Sequence, residues 1–452
     1  MNLLLKGISA FFIVPALAVI TSVNTAFAAD AEAITEMATK LQLDTVLLII
    51  AAALVMMMQL GFAFLESGIC RAKNTINIMM KNFVDISISV IVFCAIGYAF
   101  LYGQNPIGLF GTSHFFLSGT TDQDFAFIVF QMMFAATAVT ITSGAMAERT
   151  KFVGYLVSAV LITGFIYPIA ASWVWGGING GEGWLAGLGF IDFAGASVVH
   201  SVGGWVALAG VLIIGSRSGR FNEDGKPTVI LGHNLALVAF GGLILWVGWF
   251  GFNGGSTVGT DFSIGRVILN THLGAASGVI GMVTVMKLLK ENVLLVSSIN
   301  GALGGLVSVT AGAAVISPLF AAISGFIGGF IVLFGERLLL KLKLDDVIGA
   351  IPVHAFCGVW GTIAAGLFYA EDMFSISRVL VQLYGVAAIF FWSFLTALLV
   401  YFLIDMLFGL RVDRRSERRG LDYSEHYEVA YPEFSDVQTH AAKTSIRRSD
   451  KG

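Results

Sequence analysis

The chain has 452 residues, 57% of them hydrophobic and 12% charged, with a formal net charge of −3. Soluble domains carry about 25% charged residues, so this composition excludes an ordinary water-soluble class and fits a polytopic helical membrane protein. The 53 glycines suit close helix packing in lipid.

In chain order, the first element reads as a secretory leader over residues 1–28. Lys6 precedes an apolar run over 8–20, and Ala26-Phe27-Ala28 matches a small-residue cleavage site. Cleavage would leave the mature N-terminus outside a bacterial inner membrane. Cys70, Cys94 and Cys357 read as small packing residues rather than a disulfide framework.

Apolar windows of bilayer length (about 20 residues) follow over 44–66, 83–103, 125–147, 152–171, 195–215, 230–253, 265–286, 293–313, 318–340, 347–368 and 382–408. With the N-terminus outside, one set of loops holds Arg71, Lys73 and Lys81, then Arg149 and Lys151, then Arg217, Arg220 and Lys226. It continues through Lys287 and Lys290, Arg337, Lys341 and Lys343 to the basic start of the tail at Arg411. The opposite side holds only Lys40, Arg266 and Arg378. That asymmetry is the positive-inside pattern, and an even number of spans would break it. The expected fold is therefore all-α with eleven transmembrane helices, N-out and C-in, over 29–408, followed by a cytoplasmic tail over 409–452.

Two segments spell the same motif, Asp-x-x-Gly-Ala-x-x-Val-His-x-x-x-Gly. One copy runs Asp192, Gly195, Ala196, Val199, His200, Gly204, and the other Asp346, Gly349, Ala350, Val353, His354, Gly358. Span 5 enters from outside and span 10 from inside, so the copies run in opposite directions. Spans 1–5 and 6–10 then form an inverted repeat with span 11 peripheral to it. Each histidine lies eight residues past its aspartate, about 12 Å along a helix. In a hydrocarbon core about 30 Å thick, both imidazoles fall near the midplane.

A lone histidine in an apolar segment most often satisfies a packing hydrogen bond. Two at symmetric positions favour function. No Cys, His, Asp or Glu at helical spacing completes a metal set beside either ring, and no nucleophile–base pair is legible, so neither a metal cofactor nor an enzyme is expected. What remains is proton handling by a coupled pair of rings. A bare cation is costly at the bilayer centre, whereas a weak acid such as ammonium can cross as the neutral base with its proton passed separately. Potassium has no neutral form.

The approach to such a pore is aromatic. Span 3 opens with Phe130-Gln-Met-Met-Phe134, span 4 ends at Trp173-Val-Trp175, and the far end of span 6 carries Trp246, Trp249, Phe252 and Ser256. Rings with a hydroxyl could hold a small cation, at about 0.5–2 kcal/mol per ring. Tryptophan near span ends is more commonly interfacial belt, and composition alone leaves both readings open.

Together these residues resemble the ammonium transporter family, the Amt/Mep/Rh group, over nearly the whole mature chain. The matching pieces are Arg71-Ala-Lys-Asn74, Gly144-Ala-Met-Ala-Glu148-Arg149, Val174-Trp-Gly-Gly177, Asp192-Phe-Ala-Gly195 with Val199-His200, and Gly232-His-Asn234. Gly248-Trp-Phe-Gly-Phe-Asn253, Val353-His354 and Gly420-Leu-Asp-Tyr-Ser-Glu-His426 complete the set in family order. The resemblance implies a homotrimer with one pore per subunit and ammonium or ammonia as substrate. It implies Phe134, Trp175 and Ser256 as the external ammonium site, with Asp192 supporting that mouth electrostatically. It implies Phe130 and Phe252 as pore-lining or gating rings, His200 and His354 as the twin histidines, and Trp249 as their neighbour. Ala196 and Ala355 stand where many relatives have glycine. Glu66-Ser67 replaces a Tyr-Gly of some relatives, and Pro352 is expected to loosen the turn before His354.

His233 and His272 stand apart from the pair: Gly232-His-Asn234 is expected to cap a helix, Asn270-Thr-His272 to bond between helices, and His114 to lie in an external loop. The tail is expected to anchor topology and, by the resemblance, to contact the subunit underside and be read by a trimeric PII-type signal protein, with disorder after Glu433. No nucleic-acid partner is expected. Two rival functions remain, an ammonium sensor with little flux and an Rh-like gas channel. The lack of an appended signalling domain weighs against the first, and the complete aromatic–serine mouth against the second.

Overall fold

The computed structural model describes residues 2–434 except Phe262, with side chains from residue 35 onward. Among these residues the chain is all helix, with isolated bridges but no strand. In chain order the main helices are α1 (Asn2–Ile69), α2 (Ala72–Tyr102), α3 (Asp122–Ala145), α4 (Phe152–Trp175), α5 (Ala196–Ile214) and α6 (Leu235–Gly255). They continue as α7 (Ser263–Leu288), α8 (Leu295–Thr310), α9 (Pro318–Lys341), α10 (Ile351–Leu367) and α11 (Ile376–Phe408). Nine of them are long and apolar enough to cross a membrane, while α8 and α10 are shorter apolar helices. The expected leader over 1–28 falls on the part of α1 whose side chains lie outside the described residues.

Apolar runs account for the helices, because a backbone in lipid must satisfy its own hydrogen bonds. Glycines set how closely they pack. A Cβ on Gly278 of α7 would come within 2.9 Å of the Gly305 Cα of α8, so these axes approach at a distance only small residues allow.

α5 and α10 begin in the same way. The Asp192 carboxylate accepts four backbone N–H groups, from Gly195 (2.9 Å) and from Ala196, Ser197 and Val198 (each 2.8 Å). Asp346 accepts from Ile348 (3.3 Å), Gly349 (3.1 Å) and Ile351 (2.7 Å). The chain wraps around each carboxylate because Gly195 and Gly349 adopt φ of +102° and +79°, a region side chains rarely enter. The conserved spacing inside the repeat is thus a helix-start device, with carboxylates answering the orphan donors of a helix N-terminus. Both helices then open with a π-helical turn, Ala196–Ser201 and Ile351–Phe356. Pro352 lies in the first turn of α10, where a missing N–H costs no helical bond.

The boundary of α2 differs from the expected one: the helix starts at residue 72 instead of 83. Lys81, expected in a loop, lies within it and is fully buried. Hydropathy ends a span at the first charge. Here the helix face carrying Ile78, Lys81, Asn82, Asp85 and Ser89 turns into the bundle, where its polar groups meet others.

At one end of the bundle an ionic lock joins the motif pieces. Glu148 pairs with Arg71 (2.6 Å) and Arg217 (3.1 Å), and Arg217 pairs with Asp345 (2.8 Å). Burial alone would raise the Asp345 carboxyl, but the bonds and charge of Arg217, with Arg149 beyond, hold it well below the usual carboxylate range. Arg149 is itself buried and spends its donors on the carbonyls of Ala145, Ala147, Gly215 and Asp345.

The tail docks on this same end through two short helices, α12 (Arg414–Arg419) and α13 (Leu421–His426). Glu417 accepts from Ser218 N (2.6 Å), Ser218 Oγ (2.9 Å) and Arg411 (2.8 Å). Asp422 accepts from Asn77 N (2.8 Å), and Glu425 from Phe152 N (2.9 Å). Gly232-His-Asn234 caps α6 as expected, through the Asn234 side chain, which accepts from Ala236 and Leu237 (both 3.1 Å), while His233 bridges the Cys70 carbonyl (2.9 Å) and the Tyr431 hydroxyl (2.9 Å). His272 accepts from Trp246 Nε1 of α6 (3.2 Å), the inter-helix bond expected of it. The segment after Phe434 lies outside the described residues.

Candidate pore and mouth

The two motif histidines meet. His200 Nδ1 and His354 Nδ1 are 3.2 Å apart and the rings stack with centroids 5.3 Å apart. Both side chains are buried. The contact forms because α5 and α10 cross at their π-helical turns, each turn also lying against the other helix. Their closing glycines permit it: a Cβ on Gly204 would come within 2.5 Å of Ala355 N, and one on Gly358 would strike Ala196 and Ser201. Ala355, a departure at sequence level, is the surface on which Gly204 rests.

A column of rings leads away from the pair. His200 stacks on Phe252 at 5.1 Å, and Phe252 stacks on Phe134 at 4.1 Å. Phe134 meets Phe130 edge-on at 4.7 Å and Trp175 at 6.0 Å. Phe130, Phe134 and Phe252 are buried, so the ring column fills the axis in this conformation. Trp249 stacks on His200 at 4.9 Å, lies 5.7 Å from Phe252, and is fixed by donating from Nε1 to Thr310 Oγ1 at 2.9 Å.

At the far end of the column lies a cavity of about 180 Å³ lined by Phe134, Trp175 and Ser256, with Tyr102, Phe127 and Gln131 among its other walls. Three of the four expected mouth residues therefore share one cavity. Asp192 is the fourth and does not line it. It stands behind the wall, accepting from Trp175 Nε1 through its main-chain carbonyl at 2.9 Å while its carboxylate caps α5. Ser256 Oγ donates to the Phe252 carbonyl one turn back at 2.8 Å, which leaves its lone pairs free to accept.

The sequence reading missed several residues here. Gln131 is a polar residue inside an apolar run, and that alone could have flagged it. Phe62 packs near His354 at 6.1 Å and carried no signal separating it from the other 36 phenylalanines.

Chemically, the arrangement offers a small aromatic cup for a cation, a dry constriction hostile to charge, and two imidazoles able to share a proton.

The profile of the Ammonium Transporter Family matches residues 46–431. Ammonium transporter Amt2 of Archaeoglobus fulgidus is 41% identical over 429 residues, covering 88% of this chain and 90% of its own. Ammonium transporter 3 of Dictyostelium discoideum is 36% identical over 433 residues, covering 90% and 98%. Among solved structures, a Sensor Amt Protein superposes with a TM-score of 0.84 at 37% identity, over 86% of this chain and 100% of that one. Mep2 of Candida albicans superposes with a TM-score of 0.76 at 28% identity, over 82% and 86%. The chain belongs to the ammonium transporter family.

Proposed function

We propose that this protein takes up ammonium across the inner membrane of a bacterium as a homotrimer of eleven-span subunits, N-out and C-in. Ammonium is held in the cup of Phe134, Trp175 and Ser256, with Asp192 setting the local field and fixing Trp175. It sheds its proton there, and ammonia passes Phe130 and Phe252. The proton is relayed by His200 and His354, with Trp249 keeping His200 in register. One observation carries the reading: imidazoles from two separate halves of the chain meet at 3.2 Å at the end of a ring column that starts in a polar-edged cavity. Packing alone has no need of two histidines there.

The docked tail supports a regulatory role, with a PII-type protein reading that surface. The test is solid-supported membrane electrophysiology on proteoliposomes pulsed with ammonium and with potassium, comparing wild type with His200→Ala. An ammonium current lost in the variant, without a potassium response, supports the mechanism. A potassium response of equal size refutes it.

A second reading, ammonium sensing with little flux, is favoured by the likeness to the Sensor Amt Protein. Saturable ammonium binding without uptake of labelled methylammonium would select it.

A further inference from the structure

A polar cluster inside the bundle takes no part in the mechanism above. Glu66 of α1, Lys81, Asn82 and Asp85 of α2, and Tyr155 of α4 are each 2% exposed or less. Asn82 Nδ2 donates to Glu66 Oε2 at 3.0 Å, and the Tyr155 hydroxyl donates to Asp85 Oδ2 at 2.5 Å. The Lys81 ammonium lies 5.2 Å from the Tyr155 ring centroid. Its Nζ has no protein hydrogen-bond partner, nor do Asp85 Oδ1 and Asn82 Oδ1. Burying an ammonium and two carboxylates costs several kcal/mol unless their remaining hydrogen bonds are made, and helix packing does not call for such a set. Buried polar atoms of this kind are met by internal water.

The cluster also adjoins the histidine pair. Phe62 faces His354 at 6.1 Å, and Glu66 follows it by one turn, about 6 Å along the same face of α1. A Cβ on Gly144 would come within 2.8 Å of Glu66 Oε1 and also strike Ile348, just before α10. Glu66 thus sits where α1, α3 and the entry to the His354 helix converge.

We propose that Glu66, with Lys81 and Asp85, forms an internal hydrated proton site beside the pore that receives the proton leaving His354. The proposal rests on the proton-relay reading. The ligand class is water and its protonated form. In the step, the His354 ring returns to neutral as its proton passes through water beside Phe62, and the Glu66 carboxylate becomes the neutral acid. Glu66 resets by releasing that proton to water on the tail side. Lys81 supplies a fixed positive charge that keeps the site ready to discharge, and Tyr155 holds Asp85 in place. Ammonia, being neutral, has no need of this branch and continues along the pore.

The experiment uses the reconstituted full-length protein, with two readouts: ammonium-evoked charge translocation, and ammonia permeability from the intravesicular pH change. E66Q is expected to lower the current about tenfold or more and to change its pH profile. Ammonia permeability, assembly on size exclusion and thermal stability should stay as in wild type. E66D should restore much of the current. A purely packing role would move stability and permeability together and leave the pH profile alone. An E66Q current with the wild-type amplitude and pH profile overturns the proposal. If E66Q does not assemble, D85N with the same readouts decides it. A wild type that conducts ammonia with no current removes the relay reading and this site with it, whereas failure in E66Q alone leaves the histidine pair standing.

Discussion

Nδ1 of His200 and Nδ1 of His354 face each other across 3.2 Å, so one ring donates and the other accepts through the same pair of atoms. A neutral imidazole carries a single N–H. The donor therefore presents a bare Nε2 at its far side and the acceptor presents Nε2–H. The pair is polar along its axis, and moving a proton through it reverses that polarity. One added proton keeps the central hydrogen bond, while a second would set two donors against each other.

Asparagine at either position keeps a hydrogen-bonding side chain but cannot titrate. His200→Asn and His354→Asn are each expected to lower the ammonium current about 100-fold in assembled protein, measured on supported membranes. Retention of half the current in either variant would refute the relay.

The aromatic cup makes a binding prediction. Trp175→Ala removes one wall of the mouth cavity and its bond to the Asp192 carbonyl. At about 0.5–2 kcal/mol per ring, the ammonium concentration for half-maximal current should rise roughly 2- to 30-fold. The maximal current should change less, because the histidine pair is untouched.

Asp192 holds its helix start by shorter bonds than Asp346 does, and the variants should rank accordingly. Asp192→Ala removes four bonds of 2.8–2.9 Å to buried N–H groups, whereas those lost in Asp346→Ala include longer ones of 3.1 and 3.3 Å. Charge-assisted bonds are worth about 1.5–3 kcal/mol each. Thermal unfolding in detergent should show the larger loss for Asp192→Ala. An equal or reversed order would mean that the caps are not what holds the two helix starts.

The crossing of α5 and α10 depends on Gly204. Gly204→Ala places a methyl against Ala355 N and Cβ, at 2.5 and 2.7 Å. Overpacking of this kind costs about 1–3 kcal/mol, and the histidines should separate as the helices are pushed apart. Lower thermal stability with a weakened current is the expected pair of outcomes.

Tail docking has a defined pH window. Burial pushes the Glu417 carboxyl up, but Arg411 and the Ser218 bonds bring it to a net value below its ordinary 4.5. A depressed acid stabilises the docked form above its free-state value, and that contribution is lost as pH falls through the depressed value. Protection factors for amide exchange over residues 410–431 should begin to fall below about pH 6.5, where an undocked His426 takes up the proton its buried ring resists, and fall further below about 4.5 as Glu417 loses its charge. Glu417→Gln should expose the tail at neutral pH, since Arg411 and Ser218 lose the charge they share.

Much of this protein was written in its sequence. Lipid admits only backbones that satisfy themselves, so runs of apolar residues announced the helices. The Asp-x-x-Gly-…-His repeat announced two equivalent helix starts because a carboxylate and a glycine are the residues such a start requires. Family motifs mark Phe134, Trp175 and Ser256 as one mouth from their residue patterns alone. Local pattern could not place Asp192 behind the mouth rather than in its wall, since that depends on which of its oxygens meet α5 and which meets Trp175. Nor could it bury Lys81, whose charge reads as a loop until Glu66 of α1 and Tyr155 of α4 close around it beside Asp85 of its own helix. Hydropathy weighs each residue against lipid or water. A charge inside a bundle faces neither, and only the packed structure supplies the partners that decide where it lies.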